Sequence, residues 1–594
     1  MRSHRIAAFL ALFCTVATAA IGTQPHPLAT HAERTRFAAT GRYAEVVALC
    51  SEFAKRHPGA VRCQDFGVTP EGRPLKVLVV SQAGALTPAQ ARKSGMPVVL
   101  VQGGIHAGEI DGKDAGFLAL RQMLEGEVQR GALGKQVLLF VPVFNVDGHE
   151  RFGAWNRPNQ RGPRETGWRT TAQNFNLNRE YMKADAPEMQ AMLRLVEAWD
   201  PLLVVDLHVT DGAKFEHDIA VMVQPVNAGD EAMRQVGLAL REATVAHLAR
   251  NGSLPLAFYP AFIKDDDPTS GIRDGVPPPR LSHGYFWLRN RLGMLVETHS
   301  WKTYPARVEA TRQVILSVVE QVAKEGRSWR RTAMEADARA AALAGEPVAL
   351  TYRATDRFRE VPFRGYAWTR SHSEVSGAPM TRYDENRPEV WSLKLHDEIV
   401  PGLVVKAPGA GYLVPAAHAP RARRWLDAHG IRYETLRAAI DDMDIEAFRA
   451  TRATAGTASS ENRQRMTLEG EWKPERRTLP AGSLFVPIAQ PRSRLAMSLL
   501  EPRAPDSLAA WGEFNIAFEP REYMEAYVAE DVAREALAAD PALAAEFRKR
   551  TELEPDFAGN PRARLDFFYQ RHPSWDREYR LYPVVRANSR PRHP

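Results

Sequence analysis

Val98-Val99-Leu100-Val101-Gln102-Gly103-Gly104-Ile105-His106-Ala107-Gly108-Glu109 is an unbroken apolar run that stops at two glycines and delivers a histidine and a glutamate. A continuous run of this kind reads as a strand buried on both faces, as in a parallel sheet covered by helices. The glycines let the backbone turn sharply and bring His106 and Glu109 to one side of the turn.

The same grammar repeats outward. Apolar runs at Leu75 to Val80, Val137 to Val143, Leu202 to Leu207, Ala220 to Val223 and Met294 to Val296 alternate with helical patterns at Ala115 to Leu124, Pro187 to Ala198 and Ala232 to Arg250. That is an α/β pattern with a mixed, mostly parallel sheet and helices on both faces. Site-forming residues are expected where its strands end. Beyond about residue 325 the chain changes character. A charged, Ala-rich helical connector, 326–347, leads to an accessory α+β region, 348–594, with short strand-like runs, a polar stretch from Thr451 to Asn462 read as a loop, and a helical segment from Val528 to Arg550.

Composition sets the outer bounds. The chain has 594 residues, 44% of them hydrophobic and 25% charged, as in an ordinary folded protein. Its 78 basic and 71 acidic residues leave a net charge of +7 spread along the chain. Nucleic acid is therefore not the expected partner, because phosphate binding needs clustered positive charge. At the start, Arg2 and Arg5 precede an apolar stretch from Ile6 to Val16 and the small residues Ala17-Thr18-Ala19. This reads as a signal peptide, 1–19, cleaved near Ala19, and points to a secreted or periplasmic protein. The stretch is shorter than the ~20 residues that cross a bilayer, so no integral membrane segment is expected after cleavage. Cys50 and Cys63 then remain; in an oxidising compartment a disulfide between them is the expectation, with two buried thiols as the alternative.

Imidazole nitrogen and carboxylate oxygen are both zinc ligands. Among 17 histidines a His-x-x-Glu occurs about once by chance, so its position at a strand end is what raises it. Leu202-Leu203-Val204-Val205-Asp206-Leu207-His208 ends a second buried run in a histidine, with Asp206 on the same face by alternation and Asp211 as a rival ligand. Met294-Leu295-Val296-Glu297-Thr298-His299 ends a third in a carboxylate suited to act as a general base, with His299 a candidate to support it. Between them lie Asn145-Val146-Asp147-Gly148 and a stretch carrying Arg169, Asn176, Asn178 and Arg179, where an arginine fork matches a carboxylate or a developing oxyanion.

Taken together, His-x-x-Glu, Asn-x-Asp-Gly, an Arg followed nine residues later by Asn-Arg, a strand-end His and a strand-end Glu resemble the zinc carboxypeptidase family M14, over about residues 60 to 325. Glu71-Gly72-Arg73-Pro74-Leu75 is similar to that family's opening. The resemblance implies an eight-stranded sheet in a catalytic domain spanning 20–325. It implies one Zn²⁺ on His106, Glu109 and His208, oxyanion stabilisation by Arg169, capture of a peptide's terminal carboxylate by Asn178 and Arg179, and Glu297 as base. Val146 stands where the family has Pro. Asn176 stands where it has an Asp supporting the first zinc histidine, which leaves that ligand less basic. Tyr285 is the nearest candidate upstream of Glu297 for the tyrosine that closes over substrate, with a core aromatic as the alternative reading. The expected activity is a metallocarboxypeptidase; a zinc amidase acting on non-peptide or cell-wall amides, and a binding protein of the same fold without catalysis, are the alternatives.

Overall fold

The computed structural model describes residues 26–591. The proposed signal peptide, with Arg2, Arg5 and Ala19, lies outside them. The first nine strands are β1 (Val61–Val68), β2 (Pro74–Val80), β3 (Val98–Gly103), β4 (Val137–Val141), β5 (Leu203–Thr210), β6 (Ile219–Gln224), β7 (Pro255–Leu256), β8 (Ile272–Arg273) and β9 (Leu292–His299). All but β8 form one eight-stranded sheet in the order β1-β2-β4-β3-β5-β9-β6-β7. Its central pairs β4·β3, β3·β5 and β5·β9 are parallel, as is β6·β7, while β1·β2, β2·β4 and β9·β6 are antiparallel. The sheet is mixed and mostly parallel, as the apolar runs predict.

Alternation along β3 divides its side chains between two cores. Val99 and Val101 pack with Phe117, Leu120, Leu240 and Val308 from the helices Asp111–Leu124, Glu231–Arg250 and Tyr304–Ala340. Leu100 faces the other way, toward Met189 and Leu193 of the helix Pro187–Trp199. Both faces are thus covered, which is why these strands carry no polar alternation.

The region after residue 340 continues this second core. Trp425, Leu426, Leu484 and Leu495 belong to the same apolar cluster as Leu100 and Tyr181. They come from a six-stranded antiparallel sheet, whose longest pair is Ile440–Ala455 with Met466–Leu479, and from the helices around it. A long hairpin, Arg359–His372 with Pro379–His396, pairs through Leu395 with Ile272 of β8. One sequence reading is corrected and two are sharpened. The connector 326–347 is largely the end of the 37-residue helix Tyr304–Ala340, whose Trp329, Ala333 and Ala336 are buried against the first domain's core. Thr451 to Ala455, read as a loop or linker, completes the strand Ile440–Ala455; apart from the half-buried Ala453 its side chains are exposed, so little apolar alternation marks it. Val528 to Arg550 is two helices, Ala526–Ala539 and Pro541–Leu553, divided where Asp540 caps the second. Cys50, on the helix Tyr43–Arg56, is joined by a disulfide to Cys63 of β1.

Candidate active site

Parallel pairing sets the geometry. His208 on β5 stands beside Glu297 on β9, and Gly103 at the end of β3 stands beside Leu207. The three strands therefore open their C-terminal ends onto one crevice, where ligands of open α/β sheets gather. The turn after β3 requires its glycines. Gly104 has φ +62°, and a Cβ on Gly103 would lie 2.8 Å from the Pro142 carbonyl oxygen.

His106, Glu109 and His208 meet there, all buried, with one ligand atom from each within 4.8 Å of the others. His106 Nδ1 lies 3.0 Å from Glu109 Oε1, and His208 Nδ1 lies 2.9 Å from Glu109 Oε2. The outer nitrogens are held from behind: His106 Nε2 by Asn176 Oδ1 at 3.0 Å, His208 Nε2 by Asp206 Oδ2 at 2.8 Å. A ring whose Nε2–H is donated outward presents a lone pair at Nδ1, so two imidazoles and a carboxylate converge as a zinc donor set does. Asp211 stays outside this cluster, pairing instead with Arg157 Nη2 at 3.3 Å.

Charge in the crevice is tightly balanced. Burial alone would raise the Glu109 carboxyl, but His106 and Arg157 hold it well below the usual range. Burial opposes a charge on His208, and Asp206 together with Glu109 outweighs it, holding the ring well above an ordinary histidine. Glu297 is pushed up to about 8 by burial, with the Glu109, Asp206 and Asp211 carboxylates adding to it against the pull of His208. A dication beside it would reverse that push, because an opposite charge favours the ionised form.

A cavity of about 440 Å³ opens from this cluster and is lined by Arg169, Asn178, Arg179, His283 and Glu297. Arg169 Nη1 sits 3.4 Å from Glu109 Oε1. Asn178 is fixed by its side-chain oxygen, which accepts the Ser282 N–H at 3.0 Å. Arg179 donates to the Asn178 carbonyl at 2.8 Å; burial, and then the neighbouring Arg169, lower its pKa. An anion is the natural counterpart of two adjacent guanidiniums.

Tyr285 is corrected: it is fully buried, its hydroxyl lies 2.8 Å from His429 Nδ1, and it packs in the core against Tyr181 and Phe286. It ends the short helix Ser282–Tyr285 before β9, inside the chain's second core, and cannot face a substrate. His299 likewise leaves the site, stacking on Phe215 with ring centroids 3.9 Å apart. The tyrosine that lines the cavity is Tyr259, whose ionisation is opposed by the Glu297 carboxylate and by burial. Arg157, 3.1 Å from Glu109 Oε1, also escaped the sequence reading. Both lie on irregular segments, where no periodicity marks a residue as inward-facing.

Residues 46–218 match the model of the zinc carboxypeptidase family. The motif resemblance therefore holds over the segment carrying His106, Glu109, Arg169, Asn178, Arg179 and His208, while Glu297 lies beyond it. No curated protein matches the chain. Among solved structures, a metallo-carboxypeptidase from Burkholderia cenocepacia is 15% identical, over 46% of this chain and 68% of that one, with a TM-score of 0.34. Carboxypeptidase A from Helicoverpa armigera is 16% identical, over 50% and 74%, with a TM-score of 0.34. Bovine thrombin-activatable fibrinolysis inhibitor is 14% identical, over 49% and 98%, with a TM-score of 0.35. No helix among the described residues is long and apolar enough to cross a membrane.

Proposed function

We propose that this chain is a zinc-dependent metallocarboxypeptidase that shortens peptides from a free C-terminus. The observation that carries the reading is the convergence of His106, Glu109 and His208 beside Glu297, at the mouth of a cavity whose other wall holds Asn178 and Arg179. Zinc bound to the first three residues would polarise the scissile carbonyl and acidify a water. Glu297 Oε1 or Oε2 takes the water's proton and passes it to the leaving amine, base first and acid second. For this the carboxylate must start ionised, which the dication favours. Arg169 adds a guanidinium to the charge developing on the carbonyl oxygen. Asn178 and Arg179 hold the terminal carboxylate, so the bond cut is the last one. His106 and His208 keep their orientation through Asn176 and Asp206.

The catalytic part spans 20–325 in this proposal. The region from 348 is an accessory part that completes the second core. Export is proposed from the N-terminal Arg2–Ala19 pattern, and the Cys50–Cys63 bridge fits an oxidising compartment.

The test pairs metal analysis with two peptides that differ only in a free or amidated end. The expected result is one zinc per chain, release of the last amino acid from the free-ended peptide alone, loss of activity on chelation and its return with zinc. Glu297→Gln should keep the metal and lose at least ~100-fold in kcat. Equal cleavage of the amidated peptide would replace this reading with the amidase one.

A further inference from the structure

The cavity continues past Glu297 along the sheet. Met222 of β6 stands opposite Leu295, and Gln224 opposite Gly293, on the face that carries Glu297 opposite Ala220. The floor nearest the metal site is therefore apolar, with Met222 and Leu295. The far part is polar, with Gln224, Asn227, Asp274 and Arg241 all lining it. Arg241 projects from the helix Glu231–Arg250. Its Nε is buried without a hydrogen-bond partner, and among the described residues no carboxylate lies within ion-pair distance of its guanidinium.

That isolation is unusual for the arginines packed around this sheet. Arg289 pairs with Glu197, Arg291 with Asp200 and Asp337, Arg307 with Asp111, and Arg339 with Asp230. Arg273 of β8, another cation of the cavity wall, is turned to Asp356 at 3.3 Å. Asp274 shares the cavity with Arg241 but is held by its own turn, with Oδ1 accepting the Gly275 N–H at 2.8 Å. Burial raises its pKa, against the Gly275 N–H and then the pull of Arg241. The cavity end thus offers a guanidinium whose Nε has no partner, beside a carboxyl already engaged by its own turn. A half-buried guanidinium lacking a partner is the complement of a carboxylate, which its fork can bind at two points.

We infer that this end of the cavity receives the side chain of the substrate's last residue, and that Arg241 selects a side chain bearing a carboxylate. The inference rests on the carboxypeptidase reading and names its substrate class: peptides ending in an acidic residue. Asn178 and Arg179 hold the α-carboxylate, the apolar floor passes the methylenes, and Arg241 meets the second carboxylate.

Four free-ended peptides that differ only in the last residue, Glu, Gln, Lys or Phe, test it in the zinc-loaded protein. The Glu peptide should lead the Gln peptide in kcat/KM by roughly ten- to a hundredfold, the range for a hydrogen bond to a charged group, and the Lys peptide by more. In Arg241→Gln the Glu-over-Gln ratio should collapse to about one. Calorimetric binding of the Glu and Gln peptides to Glu297→Gln, which needs no turnover, should show the same ratio in Kd. If peptides are cleaved but Gln, Lys or Phe equals or exceeds Glu, the inference falls while the carboxypeptidase reading stands. If no free-ended peptide is cleaved, both fall.

Discussion

Asn176→Asp is the substitution whose effect the site defines most narrowly. Asn176 Oδ1 accepts from two donors, His106 Nε2 at 3.0 Å and the Asn178 N–H at 3.1 Å. An aspartate keeps both acceptor positions, and with them the cap of the Leu177–Arg179 turn, while exchanging a neutral acceptor for a charged one. A hydrogen bond to a charged group is about twice as strong as its neutral counterpart, a gain of roughly 1 kcal/mol here. The gain arises at the nitrogen opposite Nδ1, so it makes His106 a more basic ligand. The dissociation constant for zinc should fall about fivefold. Asn176→Ala, which removes the acceptor, should raise it 10- to 100-fold. Competition against a chromophoric chelator at neutral pH reads both directly. An aspartate variant that binds zinc no tighter than the parent, or an alanine variant that binds it equally well, would refute the idea that Asn176 tunes this ligand.

Three other outcomes follow from the packing around the site. A Cβ on Gly108 would lie 2.5 Å from Arg157 Cγ and 2.8 Å from the Gly167 carbonyl oxygen, so Gly108→Ala should cost about 1–3 kcal/mol in chemical denaturation and loosen the hold of Arg157 on Glu109. Arg307 is fully buried and donates to Asp111 and to the carbonyls of Arg161, Gly162 and Lys302; Arg307→Met strands that carboxylate, and unfolding should show a loss of about 3–5 kcal/mol. In the metal-free protein Glu297, held up to about 8 against 4.5 when free, retains in the fold a proton that the unfolded chain releases above pH 4.5. The unfolded state then binds fewer protons, so stability falls as pH rises through 8, and the raised His208 acts with the same sign. Tm measured with chelator present should be lower at pH 9 than at pH 6; a Tm that climbs over that range contradicts it.

What could be read from the sequence follows what the backbone repeats. His106, Glu109, His208 and Glu297 each close an apolar run, and a carboxylate or imidazole after such a run has few bland explanations. Their meeting needed only the parallel pairing that those runs imply. Arg157, Tyr259 and Arg241 stand in loops or on a helix rich in other charges, where a residue that faces the cavity looks like one that faces water. Tyr285 was placed by chain distance from Glu297, a quantity that says nothing of direction, and a buried histidine from the far region, His429, claims its hydroxyl. The polar Thr451 to Ala455 segment failed for the opposite reason, since a strand end exposed apart from the half-buried Ala453 shows almost no pattern.

Met222 and Leu295 line the cavity beside the His106–Glu109–His208 cluster and also belong to one apolar cluster with Phe363, Trp391 and Leu393 of the long hairpin. The pocket therefore takes its stiffness from a stretch of chain nearly a hundred residues further on. Such an arrangement is adjustable from behind: trimming the Trp391 indole, which is not among the cavity's lining side chains, removes packing from under Met222 and Leu295.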